Sequence, residues 1–234
     1  MAVMRVKISS EGTENIDFES GIIDSYLDNY DSDHYSLSNI TTYDGAVYSL
    51  FVDVGEYVEP TTVLPPPYYA NKDLEENKPT TVDVIIYYNY EPLTYNQEDF
   101  YFAIVNENGD DLTAVTFSRQ YNLISSESPR KTMVNCDRTS ESTVDAIDCG
   151  IMTGFKWLRF RFENINFVSK KFDFSIYNLT DDSLVFTNTE TSFVNDSNSV
   201  SKIEFDCRAG VGTQYQYYID SVVATSIDMW QRVI

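Results

Sequence analysis

Few residues in this chain have the types and spacing that catalysis or metal binding needs. There is one histidine, His34, set in the polar run Asp31–Tyr35. A lone histidine gives a histidine-based triad or a multi-histidine zinc site little to build on. The three cysteines, Cys136, Cys149 and Cys207, are widely spaced and include no CxxC pair, so a metal knuckle is not expected. An odd count without a staple pattern suits a reducing compartment. Whether Cys136 and Cys149 meet in space stays open. No GxSxG, P-loop or HExxH run is present. What remains is aromatic chemistry. Trp157 stands beside Arg159 and Arg161, and Tyr68-Tyr69 follow a triple proline. A flat ring with a polar edge suits stacking on a sugar, so Trp157, Tyr68 and Tyr69 are candidate ligand-binding residues. Each has a plainer reading. Trp157 would cover the second face of its sheet, the tyrosine pair would fold back on the core, and the arginines would pair with acids on neighbouring strands.

Charge narrows the partners. Asp plus Glu number 37 against 16 Lys plus Arg, for a formal net charge of -21. Such a chain is repelled by bare nucleic acid and by anionic membranes, so neither is expected as a partner. Solubility is the bland meaning of this charge; divalent cations or a basic protein partner are the sharper ones. The start, Met1-Ala-Val-Met-Arg-Val-Lys-Ile, lacks the apolar core and cleavage site of a signal peptide. No stretch approaches the roughly 18 apolar residues of a membrane span.

The elements that would position these residues are strands. Period-2 alternation is frequent and helical periodicity nearly absent. Phe172, Phe174 and Ile176 share one face of their segment; Leu158, Phe160 and Phe162 alternate with Arg159, Arg161 and Glu163; Ile203 and Phe205 alternate with Lys202, Glu204 and Asp206. Each reads as a strand with a dry and a wet face. Val82–Tyr90 reads as a central strand, and Gly45–Asp53, Leu184–Thr187 and Tyr215–Thr225 as further strands. Phe100–Val105 and Leu112–Ser118 flank Asn108-Gly109, a hairpin signal. Glu59–Thr81, with Pro60, Pro65-Pro66-Pro67 and Pro79, reads as a loop excursion, because proline removes ladder donors. Residues 122–148 are polar and hold one or two short strands. The expected architecture is an all-β, antiparallel two-sheet jelly-roll sandwich: an N-terminal arm over residues 1–15, then one domain over 16–234.

Two short runs sharpen that expectation. Asp17-Phe18-Glu19-Ser20-Gly21 stands near one end and Tyr217-Tyr218-Ile219-Asp220-Ser221-Val222-Val223 near the other. Between them lie Trp157-Leu-Arg-Phe-Arg-Phe, the Phe172–Tyr177 strand and Val200-Ser-Lys-Ile-Glu-Phe. This order resembles the concanavalin A-like or laminin-G-like jelly roll, and related carbohydrate-binding modules with an FExG element and a YIDDV-type last strand. The resemblance covers roughly residues 16 to 225. It implies that Glu19 and Asp220 help hold a structural calcium, a hard cation that takes oxygen ligands. Ser221 departs from the pattern, where a second Asp is common. The alternative is that Glu19 is a solvated strand-end residue and Asp220 accepts a backbone hydrogen bond. One branch of the fold hydrolyses glycans with an ExDxxE strand. Here Glu204-Phe-Asp206-Cys-Arg-Ala209 has two acids and lacks the third, so Glu204 and Asp206 read as a wet strand face and no catalytic residue is expected.

Function rests on analogy at this point. The leading expectation is a non-catalytic virion structural protein: a capsid decoration, head fibre or tail component of a tailed phage. It would be assembled in the host cytoplasm as a homo-oligomer among other virion proteins, with Arg5 and Lys7 on a basic arm. The alternative is a carbohydrate-binding module recognising glycans. A glycan-degrading enzyme is the remaining reading.

Overall fold

The computed structural model describes residues 13–53, 68–88, 99–117, 132–136, 146–150, 156–208 and 216–226. In chain order the strands are β1 (Thr13–Ile16), β2 (Asn29–Tyr30), β3 (Tyr35–Ser38), β4 (Ser49–Asp53), β5 (Tyr68–Asn77), β6 (Thr81–Tyr88), β7 (Asp99–Asn106), β8 (Asp111–Phe117), β9 (Thr132–Cys136) and β10 (Ile147–Asp148). They continue with β11 (Lys156–Asn166), β12 (Lys171–Asn178), β13 (Ser183–Ser192), β14 (Val200–Arg208) and β15 (Gln216–Thr225). Helical structure among the described residues is confined to a 3-10 turn, Ile23–Ser25. No helix among them is long and apolar enough to cross a membrane.

Two antiparallel sheets face each other. The eight-stranded sheet runs β13-β12-β11-β6-β15-β4-β3, with β1 also paired to β15; the seven-stranded sheet runs β10-β9-β8-β7-β14-β5-β2. The alternation read from sequence decides which side chains meet. Phe102 and Phe205 from one sheet, and Phe160, Phe162, Phe172 and Phe174 from the other, are all buried. Phe102 touches Phe160 and Phe162 across the gap, with centroids 5.4 and 6.1 Å apart. Within its own sheet Phe162 packs on Phe174 at 4.9 Å. Edge contacts of this kind add about 0.5–1.5 kcal/mol each beyond the area buried.

Some expectations shift. The proline-rich stretch was read as loop through residue 81, yet β5 occupies its second half and pairs with β14 from Cys207↔Tyr68 to Val200↔Asn77. Its sequence, Tyr-Tyr-Ala-Asn-Lys-Asp-Leu-Glu-Glu-Asn, hides the strand because it is flanked on its outer side only by the two-residue β2. A strand so near the edge can afford many charges. The expected arm also ends early: Thr13, Glu14 and Asn15 already pair with β15. Arg5 and Lys7 lie outside the described residues. The Asn108-Gly109 hairpin is present, with Gly109 at φ 88° in the left-handed region and its N–H donating to the Asn106 carbonyl at 3.1 Å. β9 and β10 are the short strands expected between residues 122 and 148, and beyond them the Cys149 N–H donates to the Thr132 carbonyl at 2.9 Å while the Thr132 N–H donates to the Gly150 carbonyl at 3.0 Å. Cys136 stands at the other end of β9, about 13 Å away at strand rise, beyond disulfide reach.

The β7–β8 hairpin is stapled to the segment before β14 by one carboxylate. Glu107 accepts hydrogen bonds from the Asn198 and Ser199 backbone N–H groups, at 2.9 Å to Oε1 and 3.1 Å to Oε2, and from the Asn198 amide at 3.2 Å. Desolvation pushes its carboxyl upward, but these donors and its own backbone N–H outweigh that and hold it down at about 2. The native state therefore binds this proton more weakly than the unfolded chain. The staple's contribution is complete above the ordinary glutamate range and fades as pH falls from 4.5 toward 2. Because the group is largely solvated, we expect Glu107→Gln to cost only about 1 kcal/mol at pH 7, a melting-point drop of about 2–4 °C. The wild type and the variant should converge at the acid end of a thermal-melt series; a constant gap would refute the assignment.

Candidate functional site

The outer face of the eight-stranded sheet carries the residues that the sequence singled out around Trp157. Because Leu158 points into the core, Trp157 points out. The same alternation turns Phe51, Tyr87, Tyr177 and Tyr218 outward beside core residues Leu50 and Val52, Ile86, Ile176, and Tyr217 and Ile219. Cross-strand register then sets them in a row. Trp157 stands opposite Tyr87, Tyr87 opposite Tyr218, and Tyr218 opposite Phe51. Ring centroids along the row are 5.2, 6.0 and 5.1 Å apart. Tyr43, from the loop before β4, packs against Trp157 at 5.6 Å. The rings are tilted by 37–74° rather than coplanar. Tyr218 is 8% exposed, while Phe51, Tyr87 and Trp157 are half-buried. The row is thus a corrugated aromatic strip that crosses four strands.

Four residues along β11 from Trp157, Arg161 behaves as strand neighbours dictate. It reaches Asp83 across the sheet at 3.8 Å and Glu163 along its own strand at 3.1 Å. Arg159 lies with its guanidinium 4.5 Å over the Tyr177 ring. Burial raises the Asp83 carboxyl, and the charges of Arg161 and then Arg159 oppose that rise.

A loop caps one end of this strip. Residues 39–48 are held at several points. Ser49 Oγ donates to the Thr41 carbonyl at 2.6 Å, the Tyr43 N–H donates to Asp220 Oδ1 at 2.9 Å, and the Val47 N–H is shared by both Glu19 oxygens at 3.0 Å. Asp44 and Gly45 both take positive φ, which lets the chain reverse tightly there. Gly21 is held to glycine twice over: its φ is 68°, and a Cβ would sit 3.1 Å from the Tyr48 ring. Asp220 owes its position to a bulge. The β15–β6 register shifts between Ile219 and Ser221, and such a shift re-aims a side chain that strict alternation would place elsewhere.

The sequence-predicted pair Glu19 and Asp220 is therefore brought to one loop, each carboxylate accepting a backbone N–H. The acids also feel each other. Burial is the main force raising the Asp220 carboxyl, to about 6; the Tyr43 N–H opposes it, Glu19 raises it further, the Ser221 hydroxyl opposes, and Asp44 adds to the rise. These oxygens suit a hard cation in kind, and the repulsion among them is what a cation would relieve. Among the described residues no three Asp, Glu, Cys or His side chains converge on a metal position. A cation here would take the rest of its ligands from backbone carbonyls.

The other candidates lie elsewhere. Tyr69 and Tyr68 stand opposite Asp206 and Cys207 on the seven-stranded sheet, so they do not join Trp157; their side chains fall outside the described residues. Glu204 and Asp206 correct the wet-face expectation. They do point away from the core, but they are 7% and 3% exposed, and Glu204 pairs with Lys202. His34 closes a turn, its N–H donating to the Asp31 carbonyl at 3.1 Å. Sequence reading missed Tyr43, Phe51, Tyr87 and Tyr218 as partners of Trp157. Tyr87 and Tyr218 carried a period-2 signal, but only the cross-strand register joins them.

No family model matches the chain, and no curated protein matches its sequence. Solved structures do match. The cellulose induced protein Cip1 superposes with a TM-score of 0.54 at 13% identity, over 91% of this chain and 97% of its own. The alginate lyase from Aplysia kurodai gives 0.52 at 11%, over 93% and 100%. A GH16 protein of the Bacteroides ovatus mixed linkage glucan PUL gives 0.51 at 13%, over 90% and 94%. The fold is a concanavalin A-like jelly roll. At these identities the concanavalin A-like frame is what is shared, and chemistry has to be argued from the side chains.

Asp220 offers such an argument in stability. Its folded-state proton is held more tightly than in the unfolded chain. In chelator, stability should therefore fall as pH rises from 3.8 to about 6 and level off above that. Asp220→Asn keeps an acceptor for the Tyr43 N–H and removes the charge. We expect it to flatten this segment of the melting-temperature profile and to melt higher than wild type at pH 7 in EGTA. A variant that melts lower in EGTA would show that the charge is not opposed by its surroundings.

Proposed function

We propose that this chain is a non-catalytic glycan-binding module, and that the corrugated aromatic strip of Phe51, Tyr218, Tyr87, Trp157 and Tyr43 is its binding surface. The observation that carries this reading is the row itself, in which Phe51, Tyr87, Trp157 and Tyr43 are half-buried and keep part of their surface in solvent while Tyr218 packs beneath them. Sugar rings present apolar C–H faces and polar rims, and aromatic side chains meet the first while their hydroxyls and neighbours meet the second. Strands in a sheet lie about 4.8 Å apart, so a row running across strands offers successive rings to successive sugars of an extended chain. The fold gives support by analogy, since structures that share it bear names tied to cellulose, alginate and mixed linkage glucan.

The non-catalytic half of the proposal rests on burial. The two acids nearest to a glycosidase pattern, Glu204 and Asp206, are 7% and 3% exposed, and Ala209 stands in the third position. A carboxyl must reach the glycosidic oxygen to protonate it. The virion role expected from sequence has no counterpart among the described residues or in the names of these structures, and the glycan reading is preferred to it.

The test is a glycan array followed by titration of the hits. Trp157→Ala and Tyr87→Ala should each weaken binding by about tenfold or more with unchanged circular dichroism, and no reducing sugar should appear on prolonged incubation. Retention of full affinity by both variants would remove the strip as the site; released sugar would remove the non-catalytic claim.

We further propose a structural calcium at the loop held by Glu19 and Asp220. Calcium should raise the melting temperature and EGTA should reverse the rise. In calcium, Asp220→Asn should lose that increment, the opposite of its effect in chelator. An unchanged melting temperature across both additions would discard the cation.

A further inference from the structure

Arg159 is the cation on the strip's face whose hydrogen-bonding capacity is unspent. Its strand neighbour Arg161 is engaged by Asp83 and Glu163 at 3.8 and 3.1 Å. Arg159 forms no hydrogen bond or ion pair among the described residues; its guanidinium rests on the Tyr177 ring, and its Nε is buried without a partner. Asp83, diagonal to it on the adjacent strand β6, is near enough for the Arg159 charge to favour its ionised form, yet no hydrogen bond or ion pair joins the two among the described residues. Asp83 has the complementary deficit: its Oδ2 faces Arg161, but its Oδ1 is buried and accepts no hydrogen bond among the described residues. A donor and an acceptor are thus left unserved on one face, beside Trp157. Buried polar atoms without partners lose their hydration with nothing in return, and such atoms call for an explanation.

We propose that Arg159 recognises the carboxylate of an acidic sugar lying on the aromatic strip. This rests on the glycan reading above and names the class of glycan. The chemistry of the pair selects it. A guanidinium matches a carboxylate with two parallel N–H···O bonds. A bare anion would satisfy Arg159 and leave Asp83 unserved. A hydroxylated carboxylate such as a uronic acid brings an acceptor group for the first and an O–H donor for the second. Both orphan atoms are closed to solvent in the unliganded chain, so binding requires Arg159, a half-buried residue, and Asp83 to turn outward onto the sugar. Net charge limits the ligand further. At -21 the protein repels a polyanion along its whole length, so the ligand is a single acidic residue within an otherwise neutral glycan.

The test compares methyl β-D-glucuronide with methyl β-D-glucoside, which differ only at the carboxylate, by chemical-shift titration. The wild type should bind the glucuronide about tenfold tighter, which corresponds to about 1.4 kcal/mol. Arg159→Gln should bring the two to parity while leaving glucoside affinity in place, and Arg159→Lys, which keeps charge but not the fork, should fall between. Thermal melts of both variants confirm folding. Equal binding of the two sugars by the wild type, or an unchanged ratio in Arg159→Gln, would overturn the assignment and leave the glycan reading standing. Acetate binding as tightly as the glucuronide would overturn the sugar element, since a carboxylate alone would then suffice. Binding of neither sugar, together with an empty glycan array, would overturn both readings.

Discussion

The pairing of β15 with three other strands is the constraint on which the rest of the structure depends. One of its edges runs against β6, and its other edge is shared by β4 over residues 216–219 and by β1 over residues 222–225. The last described strand thus closes the sheet over the earliest ones. Long-range closure of this kind costs chain entropy before it returns any burial. The return comes from Ile219 and Val222, buried against the same core as Leu50, Ile86 and Phe18.

The junction between β4 and β1 along that edge falls at Asp220 and Ser221, where the ladder slips. The loop before β4 fills the space, offering the Tyr43 N–H to Asp220 and the Val47 N–H to Glu19. Two acids are drawn together with no cation of the chain paired to either among the described residues. The energetic compromise is visible in the raised Asp220 carboxyl. The same loop lays Tyr43 on Trp157, so the acidic junction and the aromatic strip are two ends of one packed unit.

The two sheets treat their outward polar residues differently. On the seven-stranded sheet, Tyr101, Thr116, Glu204 and Asp206 are all buried although they point away from the core. On the eight-stranded sheet, Trp157, Tyr87 and Arg159 keep part of their surface in solvent. Burial of a charge needs partners to offset lost hydration, and Glu204 has Lys202. Partial exposure leaves Arg159 solvated in part and available. This asymmetry is why binding is placed on the eight-stranded sheet.

The alternation of Leu158, Phe160 and Phe162 with Trp157, Arg159 and Arg161 was legible because strand geometry enforces a period of two whatever the partner strand is. So were the β-sandwich, the hairpin at Asn108-Gly109, and the meeting of Phe18-Glu19 with Ile219-Asp220. β5 was not, since its charges are tolerable only beside so short an edge strand as β2. Neither the burial of Glu204 and Asp206 nor the lack, among the described residues, of a hydrogen bond or ion pair to Arg159 beside an ion-paired Arg161 was legible either. Those properties depend on what lies across the sheet and above it, and a local pattern holds no information about either. Sequence by itself determined which residues face outward where alternation is unbroken, as along β11, β12 and β14. Tertiary structure alone decided which of them meet, because register and the slip at Asp220 are set by pairing between segments more than a hundred residues apart.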